Sequence, residues 1–270
     1  MKERVAVVAG ASSGLGRAVA LALRGEGYRV VAGARSFSCA ENALGEGITC
    51  LALDVTDENN VSAFYEKAFA LEKQVDVLVN CAAFLVMGAC EDIAAAEYRS
   101  VLETNFIGMT RMVQGILPHF RKNRAGRILN LSSINGLLGV PFQSAYTAAK
   151  HAVEGFSECL AMEVKPFGIE VMLIEPGDHR GGGNKYRVTA EKNVAAYEEK
   201  RNNTIKAIEH DEKNGLQPER FGKKIARVLN RKKLPFRFVV ADPIQCGVTI
   251  LHEFFPTKLT MWILTKYYMR

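Results

Sequence analysis

The stretch that decides the fold is Val5-Ala6-Val7-Val8-Ala9-Gly10-Ala11-Ser12-Ser13-Gly14-Leu15-Gly16. Its first five residues are apolar without a break, glycines then fall at 10, 14 and 16, and a helix-period segment runs on to Arg24. This reads as a buried strand passing through a tight turn into a helix. Glycine allows a tight turn and lets the backbone approach a ligand, while a helix N-terminus offers free N–H groups and positive dipole character. At the first strand-to-helix turn of an α/β chain, the pattern points to a cradle for a dinucleotide diphosphate. Gly10, Ser12, Ser13, Gly14, Leu15 and Gly16 form it.

Outward from that turn, the pattern repeats along the chain. Val5–Ala9, Arg29–Gly33, Ile48–Leu53, Val75–Asn80, Arg127–Leu131, Ile169–Ile174 and Arg237–Ala241 read as seven strands, apolar enough to be buried on both faces. Helical patterns lie between them near Gly14–Arg24, Ala94–Phe120, Ala145–Val164 and Pro218–Leu229, with another after Thr56 as N-cap. The alternation predicts a doubly wound Rossmann fold: a seven-stranded parallel sheet with helices on both faces. Cradle and catalytic candidates share that sheet, so residues 1–270 are expected to form a single domain. It carries a substrate-lid insert at about 177–215, whose interior Ala190–Glu209 is open to a helix, and a C-terminal helical extension at about 243–270.

The 270 residues carry 35 basic and 29 acidic side chains and are 48% apolar, which excludes a disordered chain. Six cysteines without a Cys-x-x-Cys pair suit a reducing compartment, so a soluble, cytoplasmic protein is expected. No window reaches the length of apolar chain a transmembrane segment needs; the nearest, Ile244–Arg270, is broken by His252, Glu253, Pro256 and Lys258. Residues 217–270 hold 11 basic and 3 acidic side chains, which either form a solvated face or meet an acidic partner or anionic lipid. No motif supports nucleic acid, and His119, His151, His179, His210 and His252 lack metal-ligand spacing, so no metal is expected.

The chemistry-bearing residues gather at the carboxyl edge of that sheet. The second strand ends Val31-Ala32-Gly33-Ala34-Arg35-Ser36, with no carboxylate to grip a ribose 2′-hydroxyl. Arg35 and Ser36 suit a 2′-phosphate instead, so the cofactor is expected to be NADP(H). Asp54, after the third strand, either meets the adenine amino group or caps the next helix. Tyr146 and Lys150, four apart, share a helix face, and Ser133 follows the strand Arg127–Leu131. Hydride delivery to a ketone builds charge on oxygen, which a tyrosine tuned by a lysine can quench with a proton while a serine hydroxyl polarises the carbonyl.

These motifs together resemble the short-chain dehydrogenase/reductase family in its non-extended form, over nearly the whole chain. Gly10, Gly14 and Gly16 match its Gly-x-x-x-Gly-x-Gly turn, Tyr146 to Lys150 its Tyr-x-x-x-Lys, and Ser132-Ser133 with Gly136 its serine motif. Asp54 matches its adenine-contacting aspartate and Asn105 its helix asparagine. The resemblance implies a catalytic set of Asn105, Ser133, Tyr146 and Lys150, in which Asn105 holds a relay water through its backbone and Lys150 binds the nicotinamide ribose. It implies that Val55, Asn80, Ala82, Pro176 and Gly177 join the cradle, Arg35, Ser36, Asp54, Tyr146 and Lys150 in the cofactor site. It also implies a homodimer or homotetramer.

Three departures stand out. Asn80-Cys81-Ala82-Ala83 lacks the family's terminal glycine, His179 and Gly181 stand where an apolar residue and a threonine are usual, and the chain runs on past the last strand. In that tail Leu259, Trp262, Ile263 and Tyr267 fall on one side, as a helix packing on its own domain or on a subunit would have them. The tail, the segment Leu234–Phe238 and the insert look like members that reduce steroids, retinoids or other lipidic ketones. The expected substrate is therefore a small apolar carbonyl or alcohol. A 3-oxoacyl-thioester reductase served by an acyl carrier, and a non-catalytic NADPH-binding sensor or scaffold, are the alternatives.

Overall fold

A computed structural model describes residues 3–37, 43–180 and 186–270. Seven strands form one parallel sheet: β1 (Val5–Ala9), β2 (Arg29–Ala34), β3 (Ile48–Ala52), β4 (Val77–Asn80), β6 (Gly126–Leu131), β7 (Ile169–Pro176) and β9 (Arg237–Val240). Their spatial order is β3-β2-β1-β4-β6-β7-β9, the doubly wound arrangement that the sequence predicts. The alternate residues of β1 serve opposite cores, as period-two side chains must. Ala6 and Val8 join the side covered by α1 (Gly14–Gly25) and α7 (Pro218–Leu229), where Val19, Leu23, Phe221 and Ile225 are buried. Val5, Val7 and Ala9 join the side covered by α2 (Glu58–Leu71), α4 (Gly108–Asn123) and α5 (Ser144–Val164), where Phe64, Ile116 and Leu160 are buried.

The order of strands reverses between β1 and β4, which opens the crevice used by ligands at the carboxyl ends of such sheets. There Ala9 pairs with Asn80, and the Cys81 N–H donates to the Ala9 carbonyl at 2.9 Å. Gly10 has φ +79°, and a Cβ on it would lie 2.5 Å from the Ala82 backbone nitrogen. One on Gly16 would lie 2.2 Å from the Gly10 carbonyl oxygen. The turn is therefore closed so tightly that only glycine fits at both places.

Three local expectations are corrected. The N-cap of α2 is Asp57, whose carboxylate accepts from the N–H groups of Asn59 and Asn60, while Thr56 belongs to the turn before it. The span 94–120 is not one regular helix: α3 (Ala95–Leu102) passes through a widened π-turn, Glu103–Ile107, into α4. A further parallel pair also forms, β5 (Leu85–Met87) with β8 (Arg187–Thr189), which ties the insert to the loop beyond β4. The helical interior of the insert is α6 (Glu198–Asn214), and its opening residues 181–185, Gly181 among them, lie outside the described residues. The extension forms α8 (Pro243–Phe254) and α9 (Thr257–Tyr268). Its buried residues in α9 are Thr260, Leu264 and Tyr268, whereas Leu259 and Trp262 face out, Ile263 is half-buried, and the exposed Tyr267 turns its hydroxyl to Asp211 at 2.6 Å.

Arg237 does not belong to an open basic surface. Its guanidinium donates to Glu154 and Glu175 at 2.5 Å each and to Glu158 at 2.7 Å. Burial and the neighbouring Glu154 raise Glu175 to about 7, against the opposing pull of Arg237. Replacing Arg237 by methionine leaves two buried carboxylates unpaired and is expected to cost roughly 3–5 kcal/mol in urea unfolding at pH 8. The deficit should shrink as the pH falls toward 7, because Glu175 deprived of Arg237, which lowers it, takes up its proton at a higher pH than in the wild type.

Candidate active site

One cavity of about 780 Å³ runs along the carboxyl edge of the sheet, from Arg35 and Asp54 at one end to Ser133, Tyr146 and His179 at the other. Of the residues singled out from the sequence, Gly10, Ser12, Ser13, Leu15, Gly16, Arg35, Ser36, Asp54, Val55 and Ala82 line it. So do Ser133, Tyr146, Lys150, Pro176 and Gly177. Gly14, Asn80 and Asn105 stand behind its wall. Asn80 donates to Asn130 at 2.9 Å inside the sheet, and Asn130 donates to Ser157 at 2.9 Å, which ties β4 to β6 and β6 to α5. Asn105 sits in the π-turn, where its side chain accepts from the Phe84 N–H at 2.9 Å and donates to the Phe84 carbonyl at 2.8 Å. The widened turn is thereby pinned against the loop beyond β4.

Asp54 serves the turn after β3. It accepts from the Thr56 N–H at 3.0 Å and the Thr56 hydroxyl at 2.7 Å. Burial pushes its carboxyl up, but those hydrogen bonds and nearby Arg35 outweigh burial and leave it below the ordinary carboxylate range. The cradle fits a diphosphate on its own chemistry: small residues, glycines into which no Cβ can be placed, and the start of α1.

At the opposite end, Ser133 begins a short turn in which its hydroxyl accepts from the Asn135 N–H at 3.2 Å. Asn135 in turn donates to Gln143 at 2.8 Å, fixing this loop against the start of α5, which carries Tyr146 and Lys150. The buried Lys150 ammonium donates to the Leu131 carbonyl at 2.7 Å and stands 5.4 Å from the centre of the Tyr146 ring. Burial brings Lys150 down to about 8, against the pull of Cys81 and Glu154. Burial also raises Tyr146 to about 12, with Ser133 opposing and Asp178 adding to the rise. A neighbouring ammonium lowers a phenol, as expected from the sequence, but in this dry pocket desolvation is the larger effect.

Tyr186, Asp178 and Glu212 are wall residues that the sequence did not single out. The Tyr186 hydroxyl hydrogen-bonds Ser13, and its ring would contact a Cβ on Gly14, so the insert reaches the cradle. The three-residue β5–β8 pairing helps carry it there, and strands that short leave no readable pattern. Asp178 is clasped by Gln245, which donates to its carboxylate at 2.5 Å and accepts from its N–H at 3.1 Å. Burial and then Asp211 raise Asp178 to about 7 despite the Gln245 bond. The neighbouring His179 is lowered by burial.

A glycine-turn cradle, a switch-point crevice and a Ser–Tyr–Lys group facing one cavity define a nucleotide-dependent oxidoreductase acting on C=O or CH–OH groups. The family model for short chain dehydrogenase matches residues 4–192, and the chain belongs to that family, whose members use NAD or NADP. It is 35% identical over 270 residues to a 3-ketodihydrosphingosine reductase of Bacteroides thetaiotaomicron, covering 99% of each chain. It is 36% identical over 184 residues to human retinol dehydrogenase 8, covering 64% of this chain and 58% of that protein. A crystal structure of a short-chain dehydrogenase from Streptomyces avermitilis superposes with a TM-score of 0.86 at 32% identity, covering 98% of this chain and 96% of that one.

The shift of Lys150 has a measurable consequence. Between about 8 and its ordinary value of 10.5 the unfolded chain binds the extra proton, so folding gains stability as the pH rises across that window. Relative to Lys150→Met, the wild-type unfolding free energy should rise by about 3 kcal/mol from below pH 8 to above pH 10.5. Parallel curves for the two proteins would contradict the burial of a lysine that readily loses its proton.

Proposed function

We propose that the protein is an NADPH-dependent reductase that converts the carbonyl of an apolar, lipid-like substrate to an alcohol. The observation that carries this reading is that one cavity holds Ser133, Tyr146 and Lys150 at one end and Arg35 with Ser36 at the other. Gly10 to Gly16 take the diphosphate of the cofactor, Arg35 and Ser36 its 2′-phosphate, Asp54 and Val55 its adenine end, and Lys150 its nicotinamide ribose. When bound, the nicotinamide supplies the hydride. The Ser133 hydroxyl donates to the substrate carbonyl oxygen and orients it beside the phenol. A phenol raised to about 12 stays protonated across the neutral range, the form a proton donor needs, and Tyr146 gives its proton to the developing alkoxide. Lys150, held by the Leu131 carbonyl one helical turn along, stabilises the phenolate left behind.

Support for a lipid-like substrate comes from the pocket wall and from the relatives. Phe84, Leu85, Val188 and Ile208 line the cavity beyond the catalytic group, and the insert supplies two of them. A relative covering the whole chain carries 3-ketodihydrosphingosine reductase as its name, and another is a retinol dehydrogenase.

Oxidation of NADPH against carbonyl substrates of graded chain length tests the assignment. Tyr146→Phe should bind NADPH normally but turn over roughly 10²–10⁴ times more slowly. Undiminished turnover would remove Tyr146 from the mechanism. Arg35→Asp should weaken NADPH binding by roughly 10–100-fold and leave NADH binding nearly unchanged. Equal wild-type affinity for the two nucleotides would overturn the role given to Arg35.

A further inference from the structure

The two C-terminal helices bury a few residues on the core and leave several large apolar ones exposed. On α8 the inner side mixes polar and apolar residues: Gln245 clasps Asp178, Thr249 is buried, and Val248, Leu251 and His252 are half-buried, with Val248 packed on the core. The outer stripe is Ile244, Gly247, Ile250 and Phe254, with Ile244 77% and Phe254 74% exposed, and Phe255 continues it into the turn. On α9 the inner side is Thr260, Leu264 and Tyr268, held by Thr204 donating to the Tyr268 carbonyl at 3.0 Å. The outer side carries Met261 and Trp262, 60% and 59% exposed, with the exposed Lys258 and Lys266 on the same side. A helix face left to water would carry polar residues at these outer positions. Large apolar side chains exposed this often on neighbouring helices mark a surface that another body covers.

We propose that the outer face of α8 and α9 docks on the surface of a lipid bilayer bearing anionic headgroups. The composition of the face argues for that occupant. Trp262 and Phe254 supply the apolar anchors that settle at the boundary of headgroup and acyl chain, and Lys258 and Lys266 flank them where phosphates lie. Residues 243–270 carry three cations and the single acidic residue Glu253, so the charge is complementary to such a membrane. Each helix has 12 residues, and among the described residues no helix is long and apolar enough to cross a membrane, so the pair lies in the interface plane. A second copy of the chain is a poorer fit, because a two-fold contact through this face repeats its cations on both sides and offers them only Glu253. The docking face holds whichever substrate the cavity takes.

The chain contains one tryptophan, Trp262, so its fluorescence reports on this face alone. The full-length protein should sediment with vesicles of equal parts phosphatidylcholine and phosphatidylglycerol, and its emission should shift to the blue. Pure phosphatidylcholine vesicles, or high salt, should weaken both signals. Lys258→Gln with Lys266→Gln should lower the vesicle partition coefficient about thirtyfold. Ile250→Ser with Phe254→Ser should abolish binding while preserving NADPH-linked turnover of a short, water-soluble carbonyl, since both side chains are exposed and away from the cavity. Absence of sedimentation and of a blue shift would overturn the proposal. So would a vesicle-indifferent dimer, seen by light scattering, that the Ile250→Ser, Phe254→Ser protein fails to form.

Discussion

The approach of the turn after β1 to the loop after β4 is the constraint from which the site follows. Gly10 packs on the Ala82 backbone and Gly16 on the Gly10 carbonyl, closer than any side chain permits. That closeness lets β1 and β4 pair side by side while their continuations diverge, one into α1 and the other toward β5. The crevice between the divergent paths is the cavity. A bulkier residue at either glycine would push α1 off the sheet edge, taking with it the N-terminus that the cradle offers to an anion.

Burial governs the Tyr146 end of the cavity. It raises the Tyr146 phenol and lowers the Lys150 ammonium, so each group is pushed toward its neutral form. The charges lie one layer deeper, where Glu154, one turn beyond Lys150 on α5, meets Arg237 and Glu175. The helix that carries Tyr146 and Lys150 is thus fixed at its start by Asn135 and Gln143, and further along by an ion cluster reaching β7 and β9.

The seven strands of the main sheet were legible because they are buried on both faces and read as unbroken apolar runs. The glycine turn and the Ser133, Tyr146 and Lys150 group were legible because their spacing answers to a chemical need. What escaped is held by partners distant in sequence. β5 and β8 have three residues each and are strands only because they meet, which hid Tyr186 from view. The π-turn is stabilised by Asn105 bonding the Phe84 backbone, an arrangement without periodic signature. In the tail, the side bearing Trp262 was apolar enough to pass for a packing face; the neighbours of Thr260, Leu264 and Tyr268 decide otherwise.

Arg237 lies on the last strand to be added to the sheet, yet it neutralises Glu154 on the helix that carries Tyr146 and Lys150. The chain leaves the ribosome from its N-terminus, so β1 to β7 and the catalytic helix emerge before their counter-charge does. Until residue 237 is free to join the edge of β7, Glu154 and Glu175 lack the guanidinium that pairs them behind the cavity. The strand farthest from the cradle therefore supplies a late counter-charge, and nascent chains halted short of it carry Ser133, Tyr146 and Lys150 without the cation that joins Glu154 to Glu175.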